Sequence, residues 1–413
     1  MKTIGWLLIV IIISGWSCNS TSGNGKTITT VKDDSLEYYP PTPVQMDKLL
    51  FRRYVREVSN FFDSTLLRRG FNGAILVAKD GAVIYEKYAG FSDLRSKDPF
   101  TDSTSTHIAS SGKTFTGMAI LRLAQENKLS LDDSLQKFFP GFPYTGVTVK
   151  MLLNHRSGLS NYVYFMPAKE WKNKYVTNAD VLNYMLSEKP NRSFSPGRRF
   201  SYSNTNYVLL ALIIEKVSGR SFADFMKWKF FDPLGMKHTY VYTLNDTSKS
   251  ISSYAANGRV WDNDFLEGTC GDKNIYTTPR DLLKWDQAFY TDQLINKTLL
   301  DSAFTPYSNE RPSVHNYGLG WRLLMIPNGK KVVYHNGRWH GFNAAFARLI
   351  DEKVTIIVLG NKYNSKIYSS ARLAYDIFGN YKQGRDSDDE EPENNLPSQK
   401  TASLSGQKTR NKR

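Results

Sequence analysis

Hydrophobic positions change their period along this chain, and the changes outline its elements. Met46 to Leu67 carries apolar residues at helical spacing and predicts a helix. Two short apolar, β-rich runs follow, Gly73 to Ala78 and Ala82 to Tyr85. Lys79-Asp80-Gly81 splits them, and Asp-Gly between such runs predicts a hairpin. A second pair lies near the C-terminus, Phe342 to Ile350 and Val354 to Leu359, split by Asp351-Glu352-Lys353. A helix is expected over about 366–378. The middle, about 107–300, reads mostly as helical pattern broken by Pro/Gly loops. Strands at both ends with helices between predict an α+β fold, one sheet built from both ends of the chain with a mostly helical domain inserted. The expected domain is 41–382, its sheet part about 41–106 and 301–382 and its helical part about 107–300. No internal repeat is visible.

The two ends read differently. Lys2 precedes an apolar stretch, Ile4 to Ile13, then Ser14-Gly15-Trp16-Ser17-Cys18. A basic start, a short apolar core and small residues at its exit predict a signal peptide over 1–18. The stretch falls well short of the ~20 residues of a spanning helix. Cys18 stands where a bacterial lipoprotein signal places its acylated cysteine, although Gly15 and Trp16 depart from the usual residues there. The expectation is export to the cell envelope or periplasm and membrane attachment through a lipid on Cys18, with 19–40 as a flexible tether. A lipidated Cys18 leaves Cys270 as a lone thiol. The segment 383–413, with an acidic block from Asp386 to Glu393 and a basic end, predicts a disordered tail.

At 413 residues, 40% hydrophobic and 23% charged, the composition is that of a globular protein. Two cysteines exclude a disulfide scaffold. The net charge of +15 suits anionic lipid or a cell-wall polymer as well as nucleic acid. No arginine-rich or aromatic-interleaved basic stripe concentrates it, so a nucleic-acid partner is not expected.

Three segments carry candidate chemistry. In the first, Ser110 and Lys113 stand three residues apart before a run, Phe115 to Leu123, apolar nearly all round and hence buried. At a helix's first turn, free N–H groups favour negative charge on Ser110. A desolvated lysine on the same face can act as its base. Ser111-Gly112-Lys113-Thr114 looks like the end of a phosphate-binding loop, but His107 stands where that loop needs glycine. The second segment is Tyr202-Ser203-Asn204, where alternation in an extended loop points Tyr202 and Asn204 into one cleft. A phenol near an ammonium has its anion favoured and can take the serine proton. The third is His335-Asn336-Gly337, at the end of a strand-like Val332 to Tyr334. A glycine here would let a substrate backbone lie against an edge strand.

Together and in this order, these segments resemble the serine β-lactamase and penicillin-binding-protein superfamily, in its branch of class C β-lactamases, D-amino-acid-specific peptidases and related esterases. Leu152 to Leu159, Phe231 to Met236 and Tyr317 to Trp321 are similar to this family too. The resemblance spans about 45–380. It implies a β-lactamase/transpeptidase-like fold with an antiparallel sheet, and a serine hydrolase working through a Ser110 acyl-enzyme. Tyr202, poised by Lys113, would take the Ser110 proton, or Lys113 would share that task. Asn204 would orient Lys113 and the substrate amide, and His335 and Gly337 would line the substrate strand. The backbone N–H groups of Ser110 and Arg338 would form the oxyanion hole. No metal or organic cofactor is implied. Antibiotic-hydrolysing members usually carry lysine where His335 stands, so an ester or a D-amino-acid-containing peptide, cell-wall-derived or small, is expected. Arg338 or Arg198 would have to replace that lysine's charge. The alternatives are a class C-like β-lactamase and a non-catalytic, envelope-tethered module that binds muropeptides.

Six histidines show no metal-ligand spacing. His155 is expected to be structural. Tyr162, Tyr164, Phe165 and Trp339 fall near the motifs as candidate pocket walls.

Overall fold

The first hairpin closes as its turn chemistry demands. Strands β1 (Gly73–Lys79) and β2 (Ala82–Ala89) are joined by Asp80 and Gly81, both at positive φ (51° and 78°). That pair of conformations suits the twist of a two-residue hairpin. In this computed structural model, described for residues 38–167, 171–246 and 250–382, five later strands complete the sheet: β3 (His315–Tyr317), β4 (Arg322–Met325), β5 (Lys331–Trp339), β6 (Phe342–Leu349) and β7 (Val354–Gly360). The strand order is β3-β4-β5-β6-β7-β1-β2, and every pairing is antiparallel. The two chain ends therefore meet at the β7–β1 ladder, where Gly73 faces Gly360 and Lys79 faces Val354.

Two apolar layers flank this sheet. Ile75, Val77, Ile356 and Val358 point to one, with Tyr54, Val58 and Phe62 of helix α1 (Lys48–Thr65) and Ile367 and Tyr368 of the C-terminal helix (Lys366–Leu373). Leu76, Ala78, Ile357 and Leu359 point to the other, against the helical part. Period-two alternation with both faces apolar explains why the central strands read as unbroken hydrophobic runs. Asp47 caps α1, accepting from the N–H groups of Leu49 and Leu50. The expected helix over 366–378 ends early, with a 3₁₀ turn over 374–377.

The inserted part is mainly helical, built around helix α2 (Lys113–Gln125), every residue of which from Lys113 to Leu121 is buried, and helix α3 (Asn204–Ser218). It also holds two small antiparallel sheets that periodicity did not suggest, in strands of two or three residues. Such strands are too short to show a repeat. The expected signal segment with Cys18, the expected tether as far as 37 and the expected tail 383–413 lie outside the described residues. Among the described residues, no helix is long and apolar enough to cross a membrane.

A buried ion pair ties the helical part to the sheet. Arg348 on β6 donates through Nε to Asp286, on the helix Pro279–Ala288, and Thr355 Oγ1 on β7 donates to Asp286 Oδ2 at 2.5 Å. Both charged side chains are excluded from water, so removing one strands the other. Asp286→Ala should cost about 3–5 kcal/mol in denaturant unfolding; an unchanged midpoint would contradict this role.

Candidate active site

Ser110 lies just before α2, in a 3₁₀ turn over Ala109–Gly112, rather than inside the helix's first turn. Residues three apart eclipse in a 3₁₀ turn, and Lys113 Nζ donates to Ser110 Oγ at 3.0 Å. Ala109 holds φ 48°, a strained value for a residue with a side chain, immediately before the serine. Lys113 is fully buried, and its second hydrogen bond runs to the Asp272 carbonyl at 2.7 Å. Burial lowers its ammonium from 10.5 to about 7; Asp272 opposes this, while Lys273 and Arg322 add to it.

Tyr202 arrives on a loop held to the segment around His155. Ser201 N–H donates to His155 O at 2.9 Å, Gly197 N–H to Arg156 O at 2.8 Å, and Arg156 returns a bond to Gly197 O at 2.7 Å. Lys113 Nζ sits over the Tyr202 ring, 5.0 Å from its centroid. The buried Tyr202 hydroxyl makes no hydrogen bond of ordinary geometry, and Arg322 and Ser110 are the side chains at hand that favour its anion. Burial nonetheless holds this phenol well above 10, with Tyr317 adding to the effect and Arg322 and Ser110 opposing it.

His155 packs under the site as expected of a structural residue. Its ring centroid is 4.3 Å from that of Tyr202, and Nδ1 accepts from Ser203 N–H at 3.2 Å and Asn206 Nδ2 at 3.1 Å. Asn204 does not extend the loop beyond Tyr202. It opens α3 and donates its backbone N–H to Asn161 Oδ1 at 3.2 Å.

The third segment lies within β5, not at a strand's end. His335 Nδ1 donates to the Asn336 carbonyl at 2.7 Å, so Nε2 accepts from the Tyr317 hydroxyl at 3.1 Å. Burial, Arg322 and Lys113 hold this imidazole neutral, well below 6.5. Gly337 is needed by the chain itself. A Cβ there would stand 2.0 Å from the Ile108 carbonyl oxygen and 3.1 Å from Ser110 N. The backbone of β5 and the serine turn thus lie edge to edge. Arg338 alternates away from Gly337, and its guanidinium stacks over Tyr363 at 4.7 Å. Arg198 is exposed.

A cleft of about 330 Å³ opens beside Tyr202, lined by Leu159, Asn161, Tyr164, Phe165 and Pro190 among others, with no charged side chain in its wall. Two of the expected aromatic walls are therefore in place. Tyr162 is instead buried, donating to Asp272 Oδ2 at 2.8 Å, and Trp339 is buried, donating to Glu267 at 2.9 Å. Asp272, Arg322 and Tyr317 were not singled out from sequence. Asp272-Lys273 is a charged pair in an otherwise unremarked loop, and only Tyr317 stood in a stretch similar to the family.

No spacing in the sequence suggested a metal site, yet the fold gathers Asp264, Glu267 and His340, with possible ligand atoms within 4.8 Å of one another. One atom of each of these side chains already takes part in a hydrogen bond. His340 Nε2 donates to Glu267 Oε1 at 2.7 Å, and Leu266 N–H donates to Asp264 Oδ1 at 2.8 Å.

The chain matches the family model "Beta-lactamase" over residues 51–376. It is 34% identical to penicillin-binding protein 4* of Bacillus subtilis (strain 168) over 335 residues, 77% of this chain and 74% of that one. The octameric penicillin-binding protein homologue from Pyrococcus abyssi superposes with a TM-score of 0.68 at 28% identity, covering 79% of this chain and 78% of its own. A D-amino acid amidase from Ochrobactrum anthropi SV3, at 24% identity and a TM-score of 0.65, covers 78% of this chain and 97% of its own and shares the fold. This chain belongs to the β-lactamase family, within the superfamily of serine β-lactamases and penicillin-binding proteins, and is a serine hydrolase.

Proposed function

We propose that Ser110 is the nucleophile of an acyl-transfer hydrolase whose substrates are amides or esters, D-amino-acid-containing amides and peptides foremost. The observation that carries this reading is the buried Lys113 amine, 3.0 Å from Ser110 Oγ and close to its free-base form at neutral pH. The free amine takes the Ser110 proton as Oγ bonds to the substrate carbonyl carbon. The backbone N–H groups of Ser110 and Arg338 receive the oxyanion. The bond to the leaving group then breaks, and water later hydrolyses the acyl-enzyme.

This order reverses the role expected of Tyr202. A phenol held well above 10 keeps its proton, which suits an acid better than a base. Tyr202 hands that proton to the departing group and regains one from Lys113. Asn204, at the first turn of α3, is assigned to the substrate amide.

The uncharged cleft and the neutral His335 support substrates without a free carboxylate. The fold shared with the D-amino acid amidase supports an amide of that kind. The basic and apolar start of the chain and Cys18 support export to the cell envelope with a lipid anchor.

Intact-mass analysis with a fluorophosphonate should show one adduct on the wild type and none on Ser110→Ala. Its rate should rise through a midpoint near pH 7 as Lys113 loses its proton. No adduct at any pH would instead favour a binding module. Tyr202→Phe should lower kcat on an anilide or amide by roughly 10²–10⁴. It should barely touch a p-nitrophenyl ester, whose leaving group needs no proton. Equal losses on both would return the base's role to Tyr202.

A further inference from the structure

We propose that Arg322 is the fixed cation of this site, a positioning residue that acts through Lys113 and Tyr202 and stands in for the lysine that His335 replaces. The proposal rests on the reading of Ser110 as nucleophile. Arg338 and Arg198 do not meet the need, since one stacks on Tyr363 and the other is exposed. Arg322 begins β4, opposite Tyr317 on β3 and Tyr334 on β5, one residue from His335. It is only 8% exposed, and its guanidinium lies 5.5 Å from the Tyr202 ring centroid. Lys113 Nζ lies 5.0 Å from the same ring. Two buried basic groups therefore share one aromatic ring.

A guanidinium stays charged at any working pH. Its permanent charge disfavours a second one on Lys113 and so keeps that amine free. The same charge stabilises the anion that forms on Tyr202 at the moment it gives up its proton. The other titratable groups facing this site are His155, Tyr207, Asp272, Lys273, Tyr317 and His335. Arg322 acts in the stated sense on Lys113, His155, Tyr202, Tyr317 and His335. Asp272 opposes it at Lys113, and Lys273 assists it there.

The test is the pH profile of Ser110 labelling by a fluorophosphonate in the full chain, for the wild type, Arg322→Gln, Arg322→Met and Arg322→Lys, with folding checked by thermal melting. Both neutral variants should move the acid limb upward by about half a pH unit or more. They should then lose several-fold more rate near neutrality than in alkaline buffer, and Arg322→Lys should restore the limb. A labelled wild type whose limb stays put in either folded neutral variant would overturn the proposal alone. So would a loss that is uniform with pH in all three variants, the mark of a packing role. A wild type never labelled at Ser110 would overturn the reading of the site, and this proposal with it.

Discussion

A primary amine sealed from water without a carboxylate turned onto it is the constraint around which this site is built. Lys113 meets a hydroxyl and a backbone carbonyl, those of Ser110 and Asp272. The Asp272 carboxylate is turned elsewhere, to Tyr162 at 2.8 Å and towards Lys273 at 3.9 Å. A carboxylate hydrogen-bonded to Lys113 would hold the ammonium charged and deny Ser110 the base proposed for it. The loop that carries Asp272 is held in place by further bonds. Lys273 donates to Leu266 O at 2.9 Å and to Tyr162 at 3.1 Å, and Asn274 Nδ2 donates to the Glu267 and Thr269 carbonyls.

The architecture delivers the remaining groups by backbone contact. The long strand β5 runs past the serine turn closely enough that only glycine fits at 337. Ala109 carries the strain of that turn, a cost of order 1–3 kcal/mol that surrounding packing must offset. The Tyr202 loop is latched to the His155 segment by main-chain bonds, and the aromatic cluster of His155, Tyr202, Tyr207 and Tyr317 fills the floor. The three candidate segments, far apart in sequence, are thus locked by contacts that leave little play.

Local rules in the sequence were enough to anticipate the sheet's ends. Asp80-Gly81 needs positive φ at both positions, and the runs beside it are apolar and rich in β-formers, so the first hairpin was legible. Helix α2 was legible because a helix apolar on every side can only be buried. The strands of two or three residues in the helical part carried no period to read. The site's residue types were visible at Ser110, Lys113 and Tyr202, but their protonation was not. Burial is a tertiary property, and it moves Lys113 down and Tyr202 up, the shifts on which the proposed exchange of their parts rests. Arg322 was invisible for a related reason. An arginine after Gly320-Trp321 reads as a surface charge until β3 and β5 close on either side of it.

The protonation of Lys113 can be observed without any substrate. Selective ¹³C labelling of lysine side chains, followed by NMR titration with assignment by Lys113→Arg, reads the midpoint of each amine. One lysine should titrate near pH 7 and vanish in that variant. A Lys113 signal that titrates with the exposed lysines, near 10.5, would contradict the central claim.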